Sequence, residues 1–299
     1  MITIREVRKR FGAFVALEGV SAEIAEGAFA LLLGGNGAGK TTLLRCILGL
    51  YGFEGAITVG GRDVATQGRA ARALLGYVPQ RPSLPPDLTC REVLDLFARL
   101  RGRRRGERAW LERVGLAASE AAAVRTLSGG MRQRLALAVA LQVDPPVLLF
   151  DEPATNLDVA SRRGLHRDLE DLARRGRTVL LATHLAADPL QTATQALVLH
   201  RGQVVYDGPA GGLGSAVQQR VVFTMNGAGR GDLRAALAAL PEVQVAETPG
   251  AMIATTRAGR AFDLLAAVAA AGVRPIEVHV EEPAVDPARL RDRSTEPAG

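Results

Sequence analysis

Cysteine is nearly absent. Cys46 and Cys90 are the only two in 299 residues, which excludes a disulfide framework and a four-thiolate zinc site. No apolar run approaches the roughly 20 residues that a membrane-spanning helix needs; the longest strips, 29–33 and 147–150, have strand length. The chain itself is therefore not expected to insert into a membrane. The first ten residues are charged and alternating, without an apolar h-region or cleavage site, so no secretory signal is expected and a cytoplasmic location is. Lysine is as scarce as cysteine: of 37 basic residues only Lys9 and Lys40 are not arginine. The net charge of +6 then reflects an arginine-rich composition, and no nucleic-acid partner is expected from it, because such a partner calls for basic stripes or motifs beyond net charge. What is present is 47% hydrophobic and 23% charged, a balance that buries a sizeable core in one large domain or two ordinary ones.

Along the first 200 residues strand-like and helix-like segments alternate. Residues 2–7, 15–24 and 56–59 alternate apolar with polar, as in an antiparallel sheet. The runs 28–33, 147–150 and 179–183 are continuously apolar, as a parallel strand covered on both faces requires. Residues 93–100, 110–116 and 131–141 have helical spacing, which gives an α/β fold with a helical insertion at about 85–145. The Gly- and Pro-rich stretch 207–215 reads as a boundary. Beyond it the order strand (220–225), helix (232–240), hairpin (243–256), helix (261–271), strand (273–280) is that of a ferredoxin-like α+β domain. The expected organisation is thus 1–210 for the main domain, 211–219 as linker, 220–282 as the small domain and 283–299 as a flexible tail.

The residues 34–42, GGNGAGKTT, fit the phosphate-binding pattern G-x-x-x-x-G-K-[ST] between a strand and a helix. Glycines let successive backbone N–H groups curl around an anion, and the helix N-terminus adds its positive dipole end. Gly34, Asn36, Gly37, Ala38, Gly39 and Thr42 form the loop and helix start, Lys40 reaches the β- and γ-phosphates, and the Thr41 hydroxyl ligates Mg²⁺. An apolar strand ending in Asp151-Glu152 puts two carboxylates at the edge of a parallel sheet where open α/β folds bind ligands. Asp151 is expected to hold Mg²⁺ through its water shell, and Glu152 to polarise the attacking water as a general base.

At Leu127-Ser128-Gly129-Gly130-Met131 the sequence resembles the ATP-binding cassette (ABC) family, whose signature is LSGG followed by Gln or Met. Ser128 can cap a helix whose first turn carries two glycines, a second anion-binding N-terminus. The other motifs follow in the family's order: Gly76 to Gln80 looks like the Q-loop, Leu157-Asp158 like the end of the D-loop, Ala182-Thr183-His184 like the switch-histidine strand, and Phe11 sits where an aromatic stacks on adenine. Phe11 replaces the commoner Tyr, Gly35 a Pro or Ser, and 154–156 is an unusual D-loop start, so only Asp158 is carried over there. The resemblance covers about 1–210 and implies a P-loop NTPase cassette: a mixed-sheet core, an antiparallel β subdomain and a helical subdomain. It also implies ATP and Mg²⁺ as ligands, Mg²⁺ being held by Thr41, Gln80 and Asp151, with Glu152 and His184 catalytic. Two cassettes would sandwich ATP, with Ser128, Gly129 and Gly130 facing the site of the second copy.

Residues 87–94 and the short interval from Lys40 to Gln80 are similar to cassettes of drug- and lipid-type exporters, a subgroup not separated here from cassettes of copper-site maturation. The implied function is the ATPase subunit of an exporter on the cytoplasmic face of the cell membrane, driving separate transmembrane subunits. The rival is a soluble ABC ATPase serving a cofactor-assembly or nucleic-acid complex. The small domain offers no CxxC and no His/Cys cluster, so Met225, Met252 and His279 read as core or surface residues. The arginine run 99–108 reads as a solvated face, or as a strip for lipid headgroups or an acidic loop.

Overall fold

The computed structural model describes residues 1–104, 106–154, 159–184, 192–225, 229–257, 260–281, 284–286 and 290. They fall into two compact units, the first of the described residues in 1–183 and 192–210, the second of His184 and the described residues from 211 onward.

The first unit opens with β1 (Ile2–Phe11), β2 (Phe14–Ile24), β3 (Phe29–Leu33), α1 (Lys40–Ile47), β4 (Glu54–Val59), β5 (Arg62–Asp63), α2 (Gly68–Ala73) and β6 (Leu75–Val78). It continues through α3 (Cys90–Leu100), α4 (Ala109–Arg113), α5 (Gly129–Leu141), β7 (Val147–Asp151), α6 (Val159–Arg174), β8 (Thr178–Thr183), β9 (Gln195–His200) and β10 (Gln203–Pro209). The alternating strands form an antiparallel sheet in the order β2-β1-β4-β5, with Ile2, Ile4, Val20 and Ile57 turned inward. The continuously apolar runs become β3, β7 and β8, buried along their whole length. They lie inside a six-stranded mixed sheet, β10-β9-β3-β8-β7-β6, parallel except where β10 folds back on β9. Leu33 pairs with Thr183 and Asp151 with Ala182, so the carboxyl ends of β3, β8 and β7 are level. One apolar core, including Leu43, Leu44 and Ile47 of α1, joins the two sheets.

The helical segment has a core of its own, built from Cys90, Val93, Leu94, Leu111, Leu127 and Leu135. Thr89 and Glu92 form a reciprocal capping box that starts α3. The arginine run there is not simply a solvated face. Arg101 donates to the carbonyls of Arg72 and Leu75 at 3.1 and 3.0 Å, and Arg103 to that of Val143 at 3.2 Å. These guanidinium groups tie the helical segment to the ends of α2 and α5. Both cysteines are buried, and burial pushes the Cys46 thiol up to about 11, so neither behaves as a reactive thiolate.

The second unit runs β11 (Val217–Thr224), α7 (Arg230–Ala238), β12 (Gln244–Thr248), β13 (Ala251–Arg257), α8 (Ala261–Ala270), β14 (Glu277–Val280) and β15 (Ala284–Val285). Its sheet has the order β12-β13-β11-β14 with antiparallel neighbours throughout, and Val221, Phe223, Met252 and Ala254 pack under Leu233, Leu237, Leu264 and Val268. Met225 and Met252 are core residues, and His279 lies on exposed β14. A 3-10 helix, Ala210–Ala216, precedes β11, and Leu213 and Val217 are buried. The tail expected from 283 contributes β15, whose Ala284 and Val285 pair with Gln218 and Val217.

Candidate nucleotide-binding site

The loop between β3 and α1 leaves no room for side chains at two points. A Cβ on Gly34 would stand 2.4 Å from the Leu199 carbonyl oxygen, and one on Gly39, at φ +107°, would stand 2.8 Å from that of Ala16. The loop therefore rests directly on β2 and β9. The β9–β10 turn supports it as well: Gly202 N donates to the Ala38 carbonyl at 3.0 Å, while Glu18 N donates to Gly202 O at 2.9 Å. Sequence reading missed this support, although the Arg201-Gly202 turn, with both residues at positive φ, is a recognisable hairpin signal.

Lys40 is turned inward, 6% exposed. Its Nζ donates to the carbonyls of Gly34 at 2.6 Å and Gly35 at 3.2 Å, and pairs with Glu152 Oε1 at 3.2 Å. Glu152 is itself buried and held at φ +47°, a backbone conformation that costs roughly 1–3 kcal/mol for a residue with a Cβ and persists where the surroundings impose it. Its N–H donates to the Ala182 carbonyl at 2.9 Å, which fixes the turn off β7. Around these groups lies a cleft of about 300 Å³ walled by Phe14, Ala16, the loop residues 35–42, Gln80 and Glu152.

Asp151 is 2% exposed. The Thr41 hydroxyl donates to its Oδ1 at 3.0 Å, and the Tyr77 hydroxyl to its Oδ2 at 3.4 Å. Burial raises the Asp151 carboxyl above its ordinary value; the Thr41 bond opposes this, the Glu152 charge adds to it, and Arg45 and Lys40 pull it back. Burial likewise pushes the Tyr77 hydroxyl up to about 12, with the Asp151 charge reinforcing the effect. A hydroxyl and a carboxylate oxygen in contact, beside a phosphate-sized cleft, make a hard all-oxygen donor pair of the kind Mg²⁺ uses with substrate phosphates and water. The residues present fit that ion.

Ser128 caps α5, its Oγ accepting from Met131 N at 3.2 Å, so the two glycines open the helix. Ser128, Gly129 and Gly130 line a separate cleft of about 600 Å³ with Gln133, Phe150 and Leu165. They are not brought to the Lys40 cleft. Phe11 and His184 are also absent from the described residues walling that cleft. His184 directly follows β8. Phe11 meets Tyr51 edge to face at 5.3 Å with Lys9 Nζ 4.9 Å from its ring centre, while its hairpin partner Phe14, 62% exposed, forms the cleft wall. Asp158 lies outside the described residues.

The ABC transporter family model matches residues 17–155. The Nod factor export ATP-binding protein I of Paraburkholderia xenovorans is 39% identical over 213 residues, covering 69% of this chain and 70% of that protein. The daunorubicin resistance ATP-binding protein DrrA3 of Streptomyces coeruleorubidus is 35% identical, covering 95% of this chain and 93% of that one. This chain belongs to the ABC transporter family. Among solved cassettes, an ATP-binding subunit of an ABC transporter superposes with TM-score 0.66 at 27% identity, covering 71% of this chain and 91% of that one. A dimeric, post-hydrolysis structure of the cassette MJ0796 bound to ADP and Pi superposes with TM-score 0.65 at 27% identity, covering 70% and 99%. The fold is accordingly that of an ABC cassette with mixed and antiparallel sheets, and the match to DrrA3 extends over the second unit. Among the described residues of this cassette no helix is long and apolar enough to cross a membrane.

Proposed function

We propose that this cassette is the ATP-hydrolysing subunit of an exporter, a peripheral protein on the cytoplasmic face of the cell membrane that drives separate transmembrane subunits. The observation that carries the reading is that Lys40, Thr41 and Glu152 line one cleft at the carboxyl edge of the parallel strands, with Asp151 joined to it through the Thr41 hydroxyl. In this reading Lys40 leaves its carbonyl and carboxylate partners for the β- and γ-phosphates. Thr41, Gln80 and Asp151 hold Mg²⁺, which when bound neutralises phosphate charge. Glu152 takes the proton of the attacking water, and His184 donates to the γ-phosphate. Phe11 stacks on adenine with Phe14 beside it. Ser128, Gly129, Gly130 and Asp158 serve the site of a second copy, since the capped α5 start stands apart from the Lys40 cleft within one chain; the dimeric form of a solved relative supports this. The export and resistance functions in the relatives' names favour an exporter.

The cassette proper is assigned to 1–210 and residues 220–282 to a ferredoxin-like appendage, a reading supported by the antiparallel order β12-β13-β11-β14 with both helices packed on its core; its role is regulatory or dimer-stabilising. The test combines three measurements. Purified chain releases phosphate from MgATP and Lys40→Ala abolishes the release; Glu152→Gln becomes dimeric with ATP on gel filtration; and tagged chain captures membrane subunits from detergent-solubilised cells. Absence of phosphate release, or a Glu152→Gln protein that stays monomeric with ATP, overturns the respective part.

A further inference from the structure

A buried carboxylate turns easily about its last torsion, which is broad and twofold. One donor does not fix it; two donors on opposite oxygens do. Asp151 has such a pair, Thr41 on Oδ1 and Tyr77 on Oδ2. The two donors come from different elements, α1 and β6, and β6 pairs directly with β7 through Val78 and Phe150. Tyr77 thus reaches Asp151 from the neighbouring strand, across the face on which α1 lies. Arg45 stands one helical turn beyond Thr41 on the same face of α1, and its charge acts on both Tyr77 and Asp151. Its Nη1 donates to the Tyr51 hydroxyl at 2.6 Å, and Tyr51 meets Phe11 edge to face. Contacts thus run Phe11–Tyr51–Arg45 on one side and Tyr77–Asp151 on the other, with the Arg45 charge acting across the interval between them.

We propose that Tyr77 is a positioning residue for Asp151, its hydroxyl holding Oδ2 so that Oδ1, shared with Thr41, faces the Mg²⁺ position, with Arg45 anchoring the tyrosine side of this clamp. The proposal rests on the reading of Asp151 as the magnesium carboxylate. It assigns Tyr77 no contact with nucleotide, so its effect belongs to metal coupling and not to nucleotide binding as such.

The test measures, by isothermal titration on the full chain, how much Mg²⁺ tightens the binding of a non-hydrolysable ATP analogue. Mn²⁺ in place of Mg²⁺ gives an EPR spectrum of the ion's surroundings. Tyr77→Phe keeps the ring and removes only the hydroxyl. It is expected to leave the metal-free affinity unchanged, to reduce the metal-dependent tightening about 10-fold, the low end for loss of an outer partner of a metal ligand, and to broaden the Mn²⁺ spectrum. Tyr77→Leu repeats the loss if the phenyl ring repacks. Arg45→Met reproduces part of it and Arg45→Lys restores it. Wild-type tightening in both Tyr77 variants overturns the proposal, as does an equal loss with and without metal. Asp151→Asn separates the two levels. If it keeps the metal-dependent tightening, the assignment of Asp151 fails; if it loses it while Tyr77→Phe does not, only the role of Tyr77 fails.

Discussion

Glu152 pairs with Lys40 and so competes with phosphate for it, and Glu152→Gln is therefore expected to tighten nucleotide binding as well as to block turnover. The ammonium is held by Gly34 O, Gly35 O and Glu152 Oε1 in a pair whose side chains are 6% and 9% exposed. To meet a phosphate, Lys40 must give up the carboxylate. A charge-assisted bond of this kind is worth roughly 1.5–3 kcal/mol net, and at about 1.4 kcal/mol per tenfold in affinity its loss weakens binding by an order of magnitude or more. A glutamine still accepts from Lys40 but without charge, so the variant is expected to bind a non-hydrolysable ATP analogue roughly tenfold tighter. The assay is calorimetry in EDTA at a concentration where the chain is monomeric, which removes Mg²⁺, turnover and dimerisation from the comparison. Asp151→Asn is the control: it removes the same charge from the same strand end while Asp151's own bonds run to Thr41 and Tyr77. A Glu152→Gln affinity equal to wild type, or an equal gain in the control, refutes the competition.

Gln142, 3% exposed with both amide atoms unpartnered among the described residues, is expected to cost stability; Gln142→Met relieves about 1–3 kcal/mol and raises Tm by roughly 2–4 °C per kcal/mol, whereas a lower melting temperature shows that the amide is satisfied. The Glu92 carboxyl is held below its ordinary value first by the Thr89 backbone N–H and then by its hydroxyl. Its stabilisation is present above the unfolded-state pKa and lost as pH falls through the lowered folded value, so the Tm advantage of wild type over Glu92→Ala narrows on acidification; Thr89→Ala costs about 1 kcal/mol in chemical denaturation. Loss of base stacking, about 1–3 kcal/mol, is expected in Phe11→Ala for ATP but not for inorganic triphosphate in a filter-binding assay. The same loss confined to Phe14→Ala moves the adenine platform to the residue that walls the cleft.

What was legible in the sequence is what local pattern encodes. The spacing of the glycines and Lys40 alone marks a phosphate-binding pattern, and uninterrupted apolar runs declare β3, β7 and β8 as strands buried on two sides. Ser128 announces the start of α5 by the chemistry of a cap. Less legible were elements whose reasons lie far along the chain. β6 is four residues with an interior glycine, and a Cβ on Gly76 would stand 2.8 Å from Leu148 Cδ2 and from Pro145 Cγ and 3.0 Å from the Ala140 carbonyl. β10 is a half-exposed edge strand ending in proline, where neither alternation nor continuous burial marks it. The partners of Asp151 and Lys40 could be guessed only in kind. Tyr77 reaches Asp151 across 74 positions and Thr41 reaches it across 110, and no spacing rule connects residues so far apart.

The order of strands also sets a timetable. β3, which carries the phosphate loop, has β8 and β9 as its two neighbours, so the first apolar strand of the mixed sheet to leave the ribosome stays unpaired on both edges until some 150 further residues have been made. The stretch matched by the family model ends at 155, before either neighbour begins. A nascent or truncated chain of that length carries every glycine of the loop but neither of the strands that flank β3, with an aggregation-prone strand exposed meanwhile. Nucleotide competence is thus expected as a late event in synthesis, arriving in one step when the β9–β10 turn closes under Ala38.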